Sequence, residues 1–373
     1  MSAPSVLFGR ILTASGHHFG RATLNAPASL NALSLAMVDA LAPQLDEWAA
    51  DPDIVGVVLD AAGDKAFCAG GDVVALHRSI RATEPGRVPV DAARFFEHEY
   101  RLDYRIHTYP KPLLCWGHGI VMGGGIGLLA GASHRVLTPR TRLAMPEITI
   151  GLYPDVGGSW FLGRAPGRLG LFLALTGAPL NASDACFAGL GDFVLNHEDH
   201  GRVLMGIEGG EWSGEPDVDS ARLSRLLDVR ARNVERPAAQ LETRLHRINA
   251  VIGNETLFEI APRLKMLESD RDPWLAAAGA AFGKGSPTSA HLAFEMQRRA
   301  RHLSLADVFR LEYQASVGCC RHPDFAEGVR ALLVDKDKRP EWRPANLGNV
   351  TGACIDAHLA PVATGPHPLA DLA

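Results

Sequence analysis

The chain has 373 residues, of which 47% are hydrophobic and 21% charged, so it can bury a sizeable core and is not disordered overall. Its 37 basic and 42 acidic residues leave a formal charge of −5, which gives no electrostatic reason to expect a nucleic-acid partner. No apolar run approaches the roughly 18 residues of a membrane span, and the first residues resemble neither a signal nor a transit peptide.

The six cysteines are not a disulfide framework, because they are few for this length and none forms a Cys-x-x-Cys pair. We therefore expect reduced thiols, and with no targeting segment in view we predict a cytoplasmic protein.

The first half of the chain alternates strand and helix patterns. Residues 5–25 alternate apolar and polar side chains around a turn, which predicts a β-hairpin. Helical spacing of apolar residues predicts an amphipathic helix over 32–49. Short apolar runs at 54–60 and 113–116 are typical of buried strands. Together these elements predict an α/β core with helices packed on a sheet.

Helical patterns dominate from about residue 183. Ser286-Pro287 is typical of a helix start, and Ser304 can cap a further helix on which Glu312 and Ser316 share one face. We predict three segments: an α/β core over 1–182, a mainly helical region over 183–345 and an irregular tail over 346–373.

Several familiar motifs fail on inspection. Residues 283–286 lack the spacing of a phosphate-binding loop, and residues 123–131 have Ala130 where a dinucleotide-binding motif needs its third glycine. His197 to His200 lacks the helical spacing of metal ligands, so a polar surface loop is the better interpretation. The chain has no Gly-x-Ser-x-Gly nucleophile elbow.

Two glycine-rich loops remain, Phe-Cys-Ala-Gly-Gly-Asp at 67–72 and Gly-His-Gly-Ile-Val-Met-Gly-Gly-Gly at 117–125. Each joins a predicted strand to a predicted helix, where glycines allow tight turns and expose N–H groups. Two such donors can converge on one oxygen that gains negative charge, an oxyanion hole worth roughly 3–4 kcal/mol per donor. The alternative is that the glycines only allow close packing.

Three carboxylates lie in apolar surroundings. Glu147 and Asp155 are the only ones in the run 144–158, and Glu99 lies within an apolar helical stripe. Apolar surroundings raise a carboxyl pKa and suit acid–base chemistry, and a buried acid is costly unless it is paired or functional. A turn or cap residue is the alternative for Asp155, and a salt bridge is the alternative for Glu99.

Together these segments resemble the enoyl-CoA hydratase/isomerase (crotonase) superfamily over residues 5–345. The two loops match those whose backbone N–H groups bind an acyl-CoA thioester oxygen, which carries that role to the amides of Gly71 and Gly124 and places Gly70 and Asp72 beside the substrate. Met145-Pro146-Glu147 matches the segment with a catalytic glutamate.

Further motifs resemble the 3-hydroxyisobutyryl-CoA hydrolase branch of that superfamily. They are Pro154-Asp155-Val156-Gly157-Gly158, Ser286-Pro287-Thr288-Ser289 and the run 325–337. The resemblance makes Asp155 the second catalytic acid. It also places Glu99, in His98-Glu99-Tyr100, where the branch has a substrate-contacting glutamate.

The resemblance implies a crotonase-like (ClpP/crotonase) α/β fold of repeated ββα units with a C-terminal helical region over the acyl-CoA site. The implied reaction is thioester hydrolysis of a small 3-hydroxyacyl-CoA in valine catabolism. Glu147 would act as nucleophile or general base, alternatives that the sequence leaves open. We expect no metal and no cofactor, since CoA is part of the substrate. The superfamily allows a homo-oligomer.

Two other functions stay open. Gly127 stands where true hydratases of the superfamily have a second glutamate, which disfavours hydration but leaves double-bond isomerisation as the alternative. A non-catalytic acyl-CoA-binding protein is a third candidate, against which the three carboxylates argue.

Overall fold

The computed structural model describes residues 4–362 and 365–373. Within them the strands are β1 (Val6–Leu12), β2 (His18–Leu24), β3 (Ile54–Ala61), β4 (Ala66–Cys68), β5 (Leu113–Gly117), β6 (Ile120–Met122), β7 (His134–Leu137), β8 (Arg142–Ala144) and β9 (Phe193–Val194). The helices of the first half are α1 (Leu35–Ala50), α2 (Val73–Ala82), α3 (Val90–His107), α4 (Gly124–Ala130), α5 (Gly158–Phe161), α6 (Leu169–Thr176) and α7 (Ala182–Phe187). Those of the second half are α8 (His200–Glu208), α9 (Pro216–Ala231), α10 (Leu241–Ile252), α11 (Leu257–Met266), α12 (Pro273–Lys284), α13 (Pro287–Ala300), α14 (Leu305–Arg321), α15 (Pro323–Val329) and α16 (Gly352–His358).

The chain forms two compact units. The sheet unit comprises Met1–Gly71, Leu102–Leu143 and Leu180–Glu242, and the helical unit comprises Asp72–Arg101, Ala144–Pro179 and Thr243–Ala373. These units differ from the three consecutive segments predicted from the sequence. A pattern along the chain reports local structure, whereas a compact unit is defined by which segments pack together in space.

The main sheet of the sheet unit has the order β1-β2-β3-β5-β7-β9. The predicted hairpin is confirmed as the antiparallel pair β1 and β2, and the remaining pairs are parallel. All residues of β3 except Ala61 are buried, as a central parallel strand with both faces covered requires.

Helices α8 and α9 supply part of the core of the sheet unit. Val203 and Ile207 from α8 and Leu223 and Leu227 from α9 belong to one buried cluster with Trp116 of β5. These helices were predicted to belong to the helical C-terminal region. Their apolar faces instead pack with strand residues, because an amphipathic helix of this kind is stabilised by covering apolar surface.

A second, smaller sheet has the order β4-β6-β8. β4 and β6 are parallel, with Ala66 opposite Ile120 and Cys68 opposite Val121. The carboxyl ends of these two strands therefore lie at one edge, where residues 69–71 follow β4 and Gly123 follows β6. Residues 4–362 and 365–373 contain no helix that is long and apolar enough to cross a membrane.

The helical unit contains the predicted helices that begin after Ser286 and Ser304, and each serine caps its helix by accepting a hydrogen bond from a backbone N–H. The tail was predicted to be irregular, but it contains α16, whose first turn is capped by Thr351. Gly318 of α14 packs so closely on the backbone of His358 that a Cβ there would overlap it. Packing of this kind orders a short helix that has little stability by itself.

Candidate active site

The two glycine-rich loops of the sheet unit lie against each other. Gly70 has a φ of 109°, which favours glycine, and a Cβ there would lie 3.4 Å from the carbonyl oxygen of Met122. A Cβ on Gly125 would overlap the carbonyl oxygen of Cys68. The close approach of the two backbones thus requires glycine at Gly125, so close packing alone accounts for this residue.

The amides of Gly71 and Gly124 donate no hydrogen bond to any group in residues 4–362 and 365–373. Gly124 is the first residue of α4, where an N–H has no partner within the helix. Both amides are therefore available to an outside acceptor, as an oxyanion hole needs.

Asp72 has a structural task that the sequence did not reveal. It is the N-cap of α2, and its carboxylate accepts a hydrogen bond of 3.0 Å from the N–H of Ala75. Its predicted contact with substrate, like that of Gly70, stays a prediction.

Glu147 opens a short 3-10 turn, Glu147–Ile150, that follows β8. The turn is closed by a hydrogen bond of 3.0 Å from the N–H of Leu152 to the carbonyl oxygen of Glu147. The side chain is only 4% exposed, and its Oε2 has no hydrogen-bond partner among the described residues. Burial, and next the charge of Asp155, raise the pKa of Glu147 well above its usual range.

Asp155 lies in a tight loop directly before α5. It is 4% exposed, and its Oδ2 accepts a hydrogen bond of 2.6 Å from the hydroxyl of Tyr100 on α3. Burial raises the pKa of Asp155 to about 6, although the hydrogen bond from Tyr100 acts in the opposite direction. Val156 has a left-handed φ of 52°, a conformation that costs a β-branched residue roughly 1–3 kcal/mol.

Glu312 of α14 holds this strained loop. Its carboxylate accepts hydrogen bonds of 2.7 Å from the N–H of Gly157 and 2.9 Å from that of Ser159. The side chain is fully buried, and burial raises the pKa of Glu312 to about 8 against the lowering effect of these two donors. Glu312 thereby fixes the backbone on which Asp155 is carried.

Glu99 lies on α3, one residue before Tyr100, and is 2% exposed. Its Oε1 has no partner among the described residues. Burial is the largest cause of its strongly raised pKa, followed by the charges of Asp155 and Glu147. The structure thus brings together the three carboxyl groups singled out from the sequence, all within the helical unit.

Hydroxyl groups connect this cluster to α14. Ser316 Oγ lies 2.6 Å from the hydroxyl of Tyr100 and 2.9 Å from that of Tyr153. Tyr153 in turn donates a hydrogen bond of 2.7 Å to the carbonyl oxygen of Glu312. Sequence reasoning placed Glu312 and Ser316 on one helix face but gave them no role. Polar residues inside an apolar face were the signal that could have identified them.

The described residues contain no group of three or more His, Cys, Asp or Glu side chains arranged to hold a metal ion. The expectation of a reaction without metal or cofactor stays a prediction.

The sheet unit thus has two unpaired loop amides and the helical unit has a buried carboxyl cluster. The family follows from the sequence. The model of the enoyl-CoA hydratase/isomerase family matches residues 19–359, so the chain belongs to that family. The predicted crotonase-like α/β fold is confirmed.

Within the family the chain is similar to 3-hydroxyisobutyryl-CoA hydrolases. The mitochondrial enzyme of Gallus gallus is 37% identical over 348 residues, which cover 92% of this chain and 86% of that protein. The mitochondrial enzyme of Danio rerio is 38% identical over 341 residues, which cover 90% of this chain and 86% of that protein.

Among solved structures, a carnitinyl-CoA dehydratase from Mycobacterium thermoresistibile superposes with a TM-score of 0.84 at 36% identity. The match covers 97% of this chain and 98% of that one. The function named for this neighbour differs from that of the sequence relatives, so one fold is associated with both activities.

The predicted cytoplasmic location is wrong on this comparison. The hydrolases of Gallus gallus and Danio rerio are both named as mitochondrial, which contradicts the cytoplasmic prediction. All six cysteines are free, but a reduced thiol reports the redox state of a compartment and does not identify the compartment.

Proposed function

We propose that the protein hydrolyses the thioester bond of 3-hydroxyisobutyryl-CoA to 3-hydroxyisobutyrate and CoA, and so acts in valine breakdown. The observation that carries the proposal is the cluster of three buried carboxyl groups, Glu99, Glu147 and Asp155, in the helical unit. Burying three acids that form no ion pair with a basic side chain among the described residues is costly, and a catalytic task explains why the cost is tolerated. The similarity to 3-hydroxyisobutyryl-CoA hydrolases supports the choice of substrate.

The amides of Gly71 and Gly124 are assigned to the thioester oxygen. Attack on the carbonyl carbon turns this oxygen into an oxyanion, and preorganised N–H donors stabilise that charge more than they stabilise the ground state. Neither amide is used by another acceptor in the described part of the chain.

Glu147 is assigned to the attack. Its unpartnered Oε2 can add to the thioester carbon to form a mixed anhydride, or it can take a proton from a water molecule that adds in its place. Its raised pKa makes it a stronger base near neutral pH than an exposed glutamate. Both routes expel the thiolate of CoA.

Asp155 and Glu99 are assigned to the leaving group and to the substrate hydroxyl. Asp155 is held by Tyr100 and carries a pKa raised to about 6, which suits a group that exchanges protons near neutral pH. The unpartnered Oε1 of Glu99 can pair with the 3-hydroxyl of the acyl group. A substrate without that hydroxyl leaves the buried carboxyl group unpaired, which gives selectivity.

Hydration or isomerisation of an enoyl-CoA is the second candidate, favoured by the dehydratase neighbour and the family's description. It would use the same loop amides to hold an enolate. Against hydration stands Gly127, which has no side chain to deliver water.

The test measures free thiol released by the purified protein from 3-hydroxyisobutyryl-CoA and, in parallel, the enoyl absorbance of crotonyl-CoA. Rapid thiol release from the hydroxyacyl thioester supports the proposal. Loss of enoyl absorbance without thiol release would assign the protein to hydration or isomerisation. Binding of both thioesters with no turnover would leave the non-catalytic acyl-CoA-binding role.

A further inference from the structure

Five oxygen atoms form an unbranched chain in the interior of the helical unit. From Asp155 Oδ2 the chain runs to the hydroxyl of Tyr100, at 2.6 Å, and on to Ser316 Oγ, at 2.6 Å. It continues to the hydroxyl of Tyr153, at 2.9 Å, and ends at the backbone carbonyl oxygen of Glu312, at 2.7 Å. Asp155 is 4% exposed, and Tyr100, Tyr153 and Ser316 are fully buried.

The number of protons in this chain depends on Asp155. Four contacts need four protons, but the three hydroxyl groups supply only three, and the carbonyl oxygen can only accept. When Asp155 is ionised, Tyr100 donates to it and Tyr153 donates to the carbonyl oxygen, and Ser316 has a single proton for its two contacts. One contact of Ser316, that of 2.6 Å with Tyr100 or that of 2.9 Å with Tyr153, is then left without a proton.

Protonating Asp155 supplies the missing proton. Asp155 then donates to Tyr100, Tyr100 to Ser316, Ser316 to Tyr153, and Tyr153 to the carbonyl oxygen, so that every contact is a hydrogen bond. Two buried oxygens that face each other without a proton are unfavourable, because neither can turn to water instead. The contact that gains a proton is one of the two made by Ser316, which does not touch Asp155 directly.

We propose that the hydroxyl groups of Tyr100, Ser316 and Tyr153 form a hydrogen-bonded chain that stabilises the protonated carboxyl group of Asp155. Asp155 is then the acid that protonates the leaving thiolate, and Ser316 and Tyr153 are positioning residues for it. The inference rests on the proposed function for the identity of the leaving group. The proton moves from the carboxyl group of Asp155 to the thiolate sulfur, which gives free CoA and an ionised Asp155 that again accepts from Tyr100. The water consumed in hydrolysis returns a proton to Asp155 when the product acid ionises.

The other groups that face Asp155 are consistent with this assignment. Its charge acts on five further titratable side chains: Glu99, Glu147, Glu312, Cys319 and Cys320. Burial raises the pKa of both thiols, so they stay neutral and add no charge. A protonated Asp155 removes one negative charge from beside Glu147 and thereby favours the ionised Glu147 that the attack requires.

The test is a titration of the Asp155 carboxyl group by infrared difference spectroscopy, with its band assigned by its absence in Asp155→Asn. Ser316→Ala and Tyr153→Phe each remove the acceptor that the protonated state needs and leave the ionised state satisfied. We expect each substitution to lower the midpoint of the Asp155 titration by roughly one pH unit. Tyr313→Phe removes a tyrosine hydroxyl of the same helix, α14, that is outside the chain, and is the matched control.

The opposite account makes the hydroxyl groups simple donors to an ionised Asp155. On that account Ser316→Ala deprives Tyr100 of the donor that polarises it, and the midpoint rises. A rise in Ser316→Ala, an unchanged midpoint, or a fall in only one of the two variants would overturn the proposal, since an unbranched chain is broken by either substitution.

Activity gives a second reading that separates this inference from the proposed function. We expect the alkaline limb of the kcat profile for thiol release to move to lower pH in both variants with KM unchanged. If the infrared midpoints shift but the protein releases no thiol, the inference about the hydroxyl groups stands and the proposed reaction is rejected. Thiol release without an infrared shift in either variant would support the proposed reaction and reject the proton chain.

Discussion

The glycine loops of the sheet unit and the carboxyl cluster of the helical unit differ in which atoms are available for chemistry. The loops offer backbone N–H groups of Gly71 and Gly124, which carry no titratable proton near neutral pH. The cluster offers side chains whose pKa values are shifted by burial. The loops are therefore sensitive to added volume, whereas the cluster is sensitive to pH and to the loss of a single oxygen.

The largest effect is expected at the cluster. Glu147→Gln keeps the shape of the side chain but removes the group that attacks or activates water, and thiol release should fall by roughly 10³–10⁴-fold. Calorimetric titration with a non-hydrolysable CoA thioether should show binding retained. Activity within about tenfold of wild type would remove Glu147 from the reaction.

A smaller loss is expected at the loops, and it is steric in origin. Gly125→Ala places a Cβ against the carbonyl oxygen of Cys68, which displaces the loop that carries Gly71. We expect a loss of roughly 10²–10³-fold in kcat. Gly9→Ala is the matched control, because nothing lies within 4 Å of its added Cβ. An unaffected Gly125→Ala enzyme would argue against a role for the loop amides.

Glu99 should govern selectivity more than rate. Replacing it with leucine removes the unpartnered oxygen assigned to the 3-hydroxyl. The ratio of kcat/KM values for 3-hydroxyisobutyryl-CoA and isobutyryl-CoA should fall by roughly 10–100-fold. If the ratio is unchanged, the hydroxyl is recognised elsewhere.

The smallest effect is on stability, and its sign distinguishes the cluster from ordinary acids. Burial raises the pKa of Glu312 from 4.5 to about 8 and that of Asp155 from 3.8 to about 6. The folded protein then binds more protons than the unfolded chain over these ranges. The stabilisation is present at low pH and is lost as the pH rises through the folded-state pKa values.

Urea unfolding near pH 5 and near pH 8 checks this prediction. The free energy of unfolding should be lower near pH 8, and Asp155→Asn should reduce the difference by about 1 kcal/mol or more. Glu84→Gln, at an exposed position, is the control. A protein that is more stable near pH 8 would contradict the raised pKa values.

Local pattern predicted much of this molecule. The hairpin, the first long helix and strands β3 and β5 follow from apolar spacing and turn residues, and the caps at Ser286 and Ser304 follow from side-chain chemistry. Glu99, Glu147 and Asp155 were found because an acid in apolar surroundings is unusual. Their proposed roles came from a family resemblance and not from spacing.

The partners of these acids could not be predicted. Ser316 contacts Tyr100 across 216 positions of the sequence, and Glu312 contacts Gly157 across 155. Periodicity shows which face of a helix is buried but not what that face meets. The division into two units was missed for the same reason, since each unit is assembled from segments far apart in the chain.

The pH profile of thiol release from 3-hydroxyisobutyryl-CoA tests most directly whether the loop amides act independently of pH and the carboxyl cluster sets the pH dependence. Wild type should give a bell-shaped kcat profile whose limbs belong to the coupled carboxyl groups as a set. Gly125→Ala should lower the whole curve without moving its limbs, and Asp155→Asn should abolish the alkaline limb. Moved limbs in Gly125→Ala, or an unchanged profile in Asp155→Asn, would contradict the account.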